Sequence, residues 1–267
     1  MKPFKNTIVK VFLLIITFGI LSTQAQTKSQ NNDIWLHYVG KNMLTKKLSF
    51  TLEATMRYAN GFSEKQQYFI RPSFDYQFTK HFIGSVGYSH YNTYVYGSPA
   101  INKRPIPENH PWVQGTFNHQ FGDLKLTNRL RNEFRFVGIA TSTVTPPTSQ
   151  NDYAITDYKF RDRVRYMVLA TYPILKKDKK PVLNAFVGDE AFMNIGPLGT
   201  DITKNNVGKT FMNQNRVIVG LGYVINPHHQ IQLSYIHQNI WNFSDTIEES
   251  NPTVRISYLT TFSFAKK

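Results

Sequence analysis

From Asp33 to Phe264 apolar and polar residues alternate with a period of two through almost the whole chain. In LSFTLEATMRYA, Leu48, Phe50, Leu52, Ala54, Met56 and Tyr58 fall on one side, and Ser49, Thr51, Glu53, Thr55 and Arg57 on the other. QQYFIRPSFDYQF, NRLRNEFRF, YKFRDRVRYMV, QNRVIVGLGYVI, QIQLSYIHQNI and TVRISYLTTFSF repeat the pattern. Successive side chains of a strand point to opposite faces, so this period specifies two-faced strands and leaves no helical stripe. The runs are roughly 9 to 14 residues, the length a tilted strand needs to cross a bilayer. Strands of soluble sheets centre on about 5 to 6 residues. Connections alternate between short (TKH, GD, NPHH) and long, Pro-rich or acidic. Lipid cannot satisfy an open sheet edge, so such strands must close on themselves. The expected fold is all-β: a closed antiparallel up-and-down transmembrane β-barrel of about 10–12 strands.

The beginning of the chain predicts the compartment. Lys2, Lys5 and Lys10 precede the apolar run Val11–Leu21, and Thr23 and Ala25 supply small residues before Gln26. This is the three-part pattern of a secretory signal peptide. The expected division is a leader over residues 1–25 and an outer-membrane barrel over residues 26–267. The chain has no Cys, which removes disulfides and thiolate metal sites from consideration. A formal net charge of +14 would suit a nucleic-acid partner. An exported chain does not normally meet nucleic acid, so none is expected, and the basic residues need another role. The partners expected instead are outer-membrane lipid and a small anionic solute, with no cofactor.

That role comes from facing. If the apolar sides meet lipid, the charged sides meet the lumen. The lumen-lining basic cluster is then Arg129, Arg131, Arg135, Lys159, Arg161, Arg163, Arg165 and Arg216, with Arg57, Arg71 and Arg255 adding to it. Its acidic partners are Glu53, Glu133 and Glu190, together with Asp75. A regular hairpin would set Glu133 near Arg163 and Arg131 near Arg165. Rings of Arg and Lys favour anions, which points to a narrow anion-favouring pore. A barrel near eight strands is instead filled by its own side chains, which points to a closed structural or surface-binding barrel. Two details strain the scheme. Asn128, Asn132 and Asp162 fall on the nominal lipid face, which calls for an interfacial position or a bulge. Counting strands back from a periplasmic C-terminus gives ten from Leu48, so DIWLHYVG (Asp33–Gly40) would have to start outside the cell.

Several segments together resemble a known family. They are the Trp35 segment, the strand ending in MRY, the paired NRLRNEFRF and YKFRDRVRY, DEAFMN, and NRVIVGLGYVINPHHQIQLSYIHQ. The chain resembles the domain of unknown function 2490 family of secreted bacterial proteins. The resemblance implies an outer-membrane barrel of unassigned biochemistry and carries over no catalytic residue. Other chemistries are weaker. Ser89 and His90 are adjacent, so they point to opposite faces and cannot pair as the nucleophile and base of a lipid hydrolase. His228 and His229 sit in a turn without a carboxylate partner, so no metal site is expected. The loops bearing Trp241, Phe243, Asp245, Glu248 and Glu249 are candidate surface-binding elements. The expectation is a non-enzymatic barrel.

Overall fold

The alternation folds into twelve β-segments: β1 (Thr27–Gln30), β2 (Asp33–Met43), β3 (Leu48–Ala59), β4 (Glu64–Gln77), β5 (Phe82–Thr93), β6 (Ile106–Phe121), β7 (Leu124–Ser142), β8 (Tyr153–Lys177), β9 (Lys180–Ile195), β10 (Met212–Asn226), β11 (His229–Trp241) and β12 (Ile247–Ser263). The structure is a computed structural model that describes residues 27–195, 211–242 and 246–264. The expected leader, with Phe243 and Asp245, lies outside the described residues. All segments belong to one sheet in sequence order, and β12 pairs with β2 to close it. β1 and β2 lie end to end along the same edge of β12, Thr27–Gln30 against Ile247–Ser250 and Asp33–Met43 against Thr253–Ser263. They therefore fill one position, and the closed barrel has eleven.

An odd ring of up-and-down strands cannot alternate all the way round, so one pair must be parallel. That pair is β12–β2; every other neighbour in the ring is antiparallel. The Asp33 segment is thus a wall strand, and it does start at the end of the barrel that carries the long connections. The ring of eleven lies within the expected 10–12 strands, and the N-terminal strand is what makes one pair parallel in an otherwise antiparallel barrel. His37 ties the parallel seam together, with Nδ1 3.0 Å from Ser257 Oγ and Nε2 3.2 Å from Glu53 Oε1.

Two predicted loops are strands. GSPAINKRPIPENHP reads as a Pro-rich loop, yet β6 begins at Ile106. Pro107 and Pro111 pair with Asn92 and Tyr88 on β5, while the ladder to β7 is broken around Pro111, between Asn109–Phe136 and Trp112–Glu133. A residue without an N–H is tolerated where a ladder is interrupted. The acidic stretch around Glu248 and Glu249 likewise reads as a loop but belongs to β12, because β1 and β11 pair along its two edges. Several strands exceed the expected length, with 19 residues in β7 and 25 in β8.

At one end the connections are tight. Gly122, with φ 61°, opens the two-residue β6–β7 turn, and Asp178 and Lys179, with φ 51° and 62°, form the β8–β9 turn. Positive φ is what two-residue hairpins ask of their central residues. The outer wall is apolar, with Met56, Ile70, Phe74, Val86, Val113, Leu130, Phe134, Phe136, Val219, Leu233 and Ile256 all exposed. Asn128 and Asp162 do stand on this outer face; the bulge in the β7–β8 ladder is at Ile139/Ala140 and does not turn them inward. Asn128 accepts a hydrogen bond from Tyr166 Oη at 2.9 Å.

Candidate functional site: the arginine-lined lumen

The register of β7 against β8 places Glu133 opposite Arg163 and Arg131 opposite Arg165, the arrangement a regular hairpin predicts. Opposite charges across a ladder attract, and here they converge. Glu133, 0% exposed, accepts from Arg163 Nε and Nη2 through Oε2 at 2.9 and 2.6 Å, and from Arg165 Nη1 through Oε1 at 2.7 Å. Arg131 Nη1 lies 3.8 Å from the same carboxylate. Arg165 also donates to Glu190 Oε1 at 3.0 and 2.7 Å, and Arg129 adds a third bond at 2.6 Å. Arg165 thus joins two glutamates from β7 and β9 into one network. A buried charge is tolerable only when it is paired and its remaining donors are satisfied; the pairing is met throughout this wall, while Arg131 Nη1 is buried without a hydrogen-bond partner.

A second network was not foreseen from the sequence. Glu108 Oε2 accepts from Arg135 Nε and Nη2 at 2.9 and 2.6 Å and lies 2.8 Å from His110 Nε2. Both residues lie in the segment assigned to the Pro-rich loop; their alternation with Trp112 was the available signal. Across the lumen, Arg71 Nη1 donates to Glu53 Oε2 at 2.8 Å, its Nε to Ser89 Oγ at 2.9 Å, and its Nη2 to Tyr91 Oη. Lys159 and Arg161 lie on the same face of β8, half-buried and nearer the long-connection end.

Arg216 on β10 differs. Its Nε donates to Gln238 Oε1 at 2.6 Å, and its nearest carboxylate oxygen, Glu190 Oε2, is 3.7 Å away. Arg57 donates to Gln67 Oε1 at 2.7 Å and Arg255 to Ser234 Oγ at 3.2 Å, both neutral acceptors. The guanidinium groups of Arg57 and Arg216 stack on rings instead. Arg57 Cζ is 3.9 Å and Arg216 Cζ 5.0 Å from the centroid of Trp35, and Arg216 is also 4.7 Å from Phe192.

Aromatic and aliphatic side chains fill the space between these charges. Trp35, Phe186, Ile218 and Ile236 form a buried cluster inside the ring. Trp112 lies over Gly87, where a Cβ would come within 2.3 Å of the indole, and donates to Ser89 Oγ at 3.0 Å. Ser89 is therefore committed to Arg71 and Trp112 inside the barrel, whereas His90 contacts Asn109 at 2.9 Å. The geometry does not bring the two together. His228 and His229 face the Thr261 carbonyl and Tyr258 Oη at 2.8 and 2.7 Å.

Toward the long-connection end the lumen is packed by Asn31, Asp33, Gln66, Tyr96, Glu249 and Asn251, all buried. Asn31 Nδ2 donates to Glu249 Oε1 at 2.9 Å, and Gln66 Nε2 to Asp33 Oδ2 at 2.5 Å. Toward the tight-turn end a chamber of about 470 Å³ is lined by eight arginines, three glutamates and one aspartate. Its lower lining, including Thr171, Asn184, Gln230 and Gln232, is half-buried, whereas His110, Arg163 and Gln214 at its top are buried.

The same stretch of chain, residues 32–249, matches the family described as Protein of unknown function (DUF2490). The chain belongs to that family. This DUF2490 member is thus a closed β-barrel built around a buried Arg–Glu network. No curated protein matches it.

Proposed function

We propose that this DUF2490 protein is an exported, non-enzymatic β-barrel of the bacterial outer membrane whose Arg-rich lumen favours anions but is closed to through-passage. The membrane reading is supported by the continuous apolar outer wall and by two aromatic bands. Near the tight turns Phe82 stacks on Phe117 and Phe78, at 4.6 and 5.6 Å. Near the other end Tyr68 packs on Tyr94 at 6.3 Å, and Phe136 on Phe160 at 5.5 Å. Along β4, Tyr68 and Tyr76 are separated by about 27 Å of strand at ~3.4 Å per residue. At a tilt of ~40° that is roughly 20 Å, close to the apolar band of outer-membrane barrels.

The observation that carries the closed reading is the filling of the lumen at mid-height. Trp35, Trp112, Phe192, Arg131, Glu133 and Arg165 come from five strands, and none is more than 5% exposed. This supports the self-filled interior expected of narrow barrels over a conducting bore. Purified protein reconstituted in a planar bilayer tests the reading. A folded, inserted protein that passes no steady current is the expected result. Steady anion-selective conductance that falls in Arg131→Ala or Arg163→Ala would replace the closed barrel with a pore.

A further inference from the structure

The seam wall of the chamber concentrates positive charge that protein carboxylates only partly neutralise, since Arg216 has Glu190 Oε2 at 3.7 Å while Arg57 and Arg255 bond neutral acceptors. Arg57 and Arg255 are the register partners of Trp35 on its two neighbouring strands, so the three residues stand in one row. Arg216 reaches the same ring from β10. Two guanidinium groups on one indole repel each other, and ring faces, amides and one Glu190 oxygen 3.7 Å from Arg216 are what offset that repulsion. Among the described residues no carboxylate lies within ion-pair distance of Arg57 or Arg255, and Arg57 Nε is buried without a hydrogen-bond partner. The β6–β9 wall shows what these forks do when an oxygen pair is available: each glutamate there collects several bonds near 2.7 Å.

We propose that Arg57, Arg216 and Arg255 around Trp35 form a binding site for a small oxyanion, a carboxylate or phosphate group, entered from the tight-turn end. Planar guanidinium forks match the oxygen geometry of both groups and bind them through parallel, charge-assisted bonds. The chamber volume of about 470 Å³ falls within the range of small-ligand pockets. The entry side follows from the half-buried lower lining and from the rim: Lys46, Lys47, Lys80, Lys177, Lys179 and Lys180 are exposed on the tight turns. These lysines outnumber Asp123 and Asp178 on the same turns, and a net positive rim raises the local concentration of the opposite ion and speeds its capture. The packed Asn31–Glu249–Asn251 end makes the chamber blind, so the site holds its ligand instead of passing it on.

The inference deepens the anion-favouring lumen proposed above, but binding requires neither the membrane nor a closed bore. Full-length mature protein in detergent micelles is titrated with inorganic phosphate and, separately, with succinate, with chloride as the control. Calorimetry reports binding, and tryptophan fluorescence in a Trp112→Phe, Trp241→Phe background isolates the response of Trp35. Saturable binding is expected for at least one oxyanion, weakened about ten-fold or more by Arg57→Gln and by Arg216→Gln, as expected for lost charge-assisted contacts. Fold is checked by strand circular dichroism; if Arg57→Gln does not fold, the half-buried Arg255→Gln serves instead. Phosphate-only or succinate-only binding identifies the group recognised. Absence of saturable binding by folded wild-type protein overturns the site, as does binding that survives the substitutions. Either result leaves the closed barrel standing if bilayers stay silent, whereas conductance with intact binding overturns the closed barrel alone.

Discussion

On the β7–β8 wall, Arg163 and Arg165 grip a glutamate that solvent does not reach. Across the lumen on the seam wall, Arg57 and Arg255 rest on a glutamine, a serine and an indole. Both walls use the same residue, on the same face of the same kind of strand. The difference is whether an acceptor of full negative charge stands within reach. Carboxylate partners lock a guanidinium and spend its donors on the wall itself. Neutral amide and ring partners keep it from being stranded but leave its charge available. One wall is therefore a brace and the other a surface on which an anion has something to gain.

The contrast can be broken most sharply at Glu133. Glu133→Gln leaves Arg163 and Arg165 buried beside a neutral amide, and breaking a buried pair in this way costs about 3–5 kcal/mol. The midpoint of denaturant unfolding in detergent should fall accordingly; a shift no larger than that of a seam-wall variant would erase the distinction. Glu190→Gln removes the acceptor shared by Arg129 and Arg165 and should cost about 1.5–3 kcal/mol, the range for hydrogen bonds to charged groups. Arg255→Gln on the seam wall removes one bond to Ser234 and one unneutralised charge, so its effect should stay within about 1 kcal/mol. A large loss there would mean that the seam arginines are braces too.

The smallest effect is outside the wall. Asp152, in the single-turn helix Gln150–Asp152, accepts from the backbone N–H groups of Thr148 and Ser149 at 2.8 and 2.7 Å. Those bonds hold its carboxyl below the usual carboxylate range. A depressed value stabilises the folded loop above the unfolded pKa of about 3.9, and that contribution is lost as pH falls through the lower folded value. Protection of the Thr148 and Ser149 amides, measured relative to their intrinsic exchange rates, should fall as pH drops below about 4, without global unfolding. Asp152→Asn should remove that pH dependence.

How much of this was legible depends on which residues are asked. The brace was: Arg131, Glu133, Arg163 and Arg165 alternate with Leu130, Phe134, Val164 and Tyr166, and a regular hairpin is enough to pair them. Arg57, Arg216 and Arg255 were legible as lumen residues, but not as neighbours. Their meeting at Trp35 depends on the parallel β12–β2 seam, a pairing between chain ends that no local pattern encodes. Glu108 and His110 were hidden by Pro107 and Pro111, which punctuate sequence like a loop yet sit where one ladder is interrupted. Glu249 and Asn251 were hidden in an acidic stretch that becomes strand because β11 and the N-terminal segment lie along its two edges.

Single-cysteine accessibility tests the central claim, a lumen open at the tight-turn end and sealed at the other, most directly. The chain has no cysteine of its own, so each introduced thiol reports alone. Gln232 lines the chamber, half-buried, while Thr253 points into the packed end and is 0% exposed. The rate at which a bulky charged maleimide labels each folded variant is then compared with its rate after unfolding. Gln232→Cys should react while folded and Thr253→Cys only once unfolded. Equal labelling of both folded variants would show a continuous water path through the barrel and contradict the closed lumen.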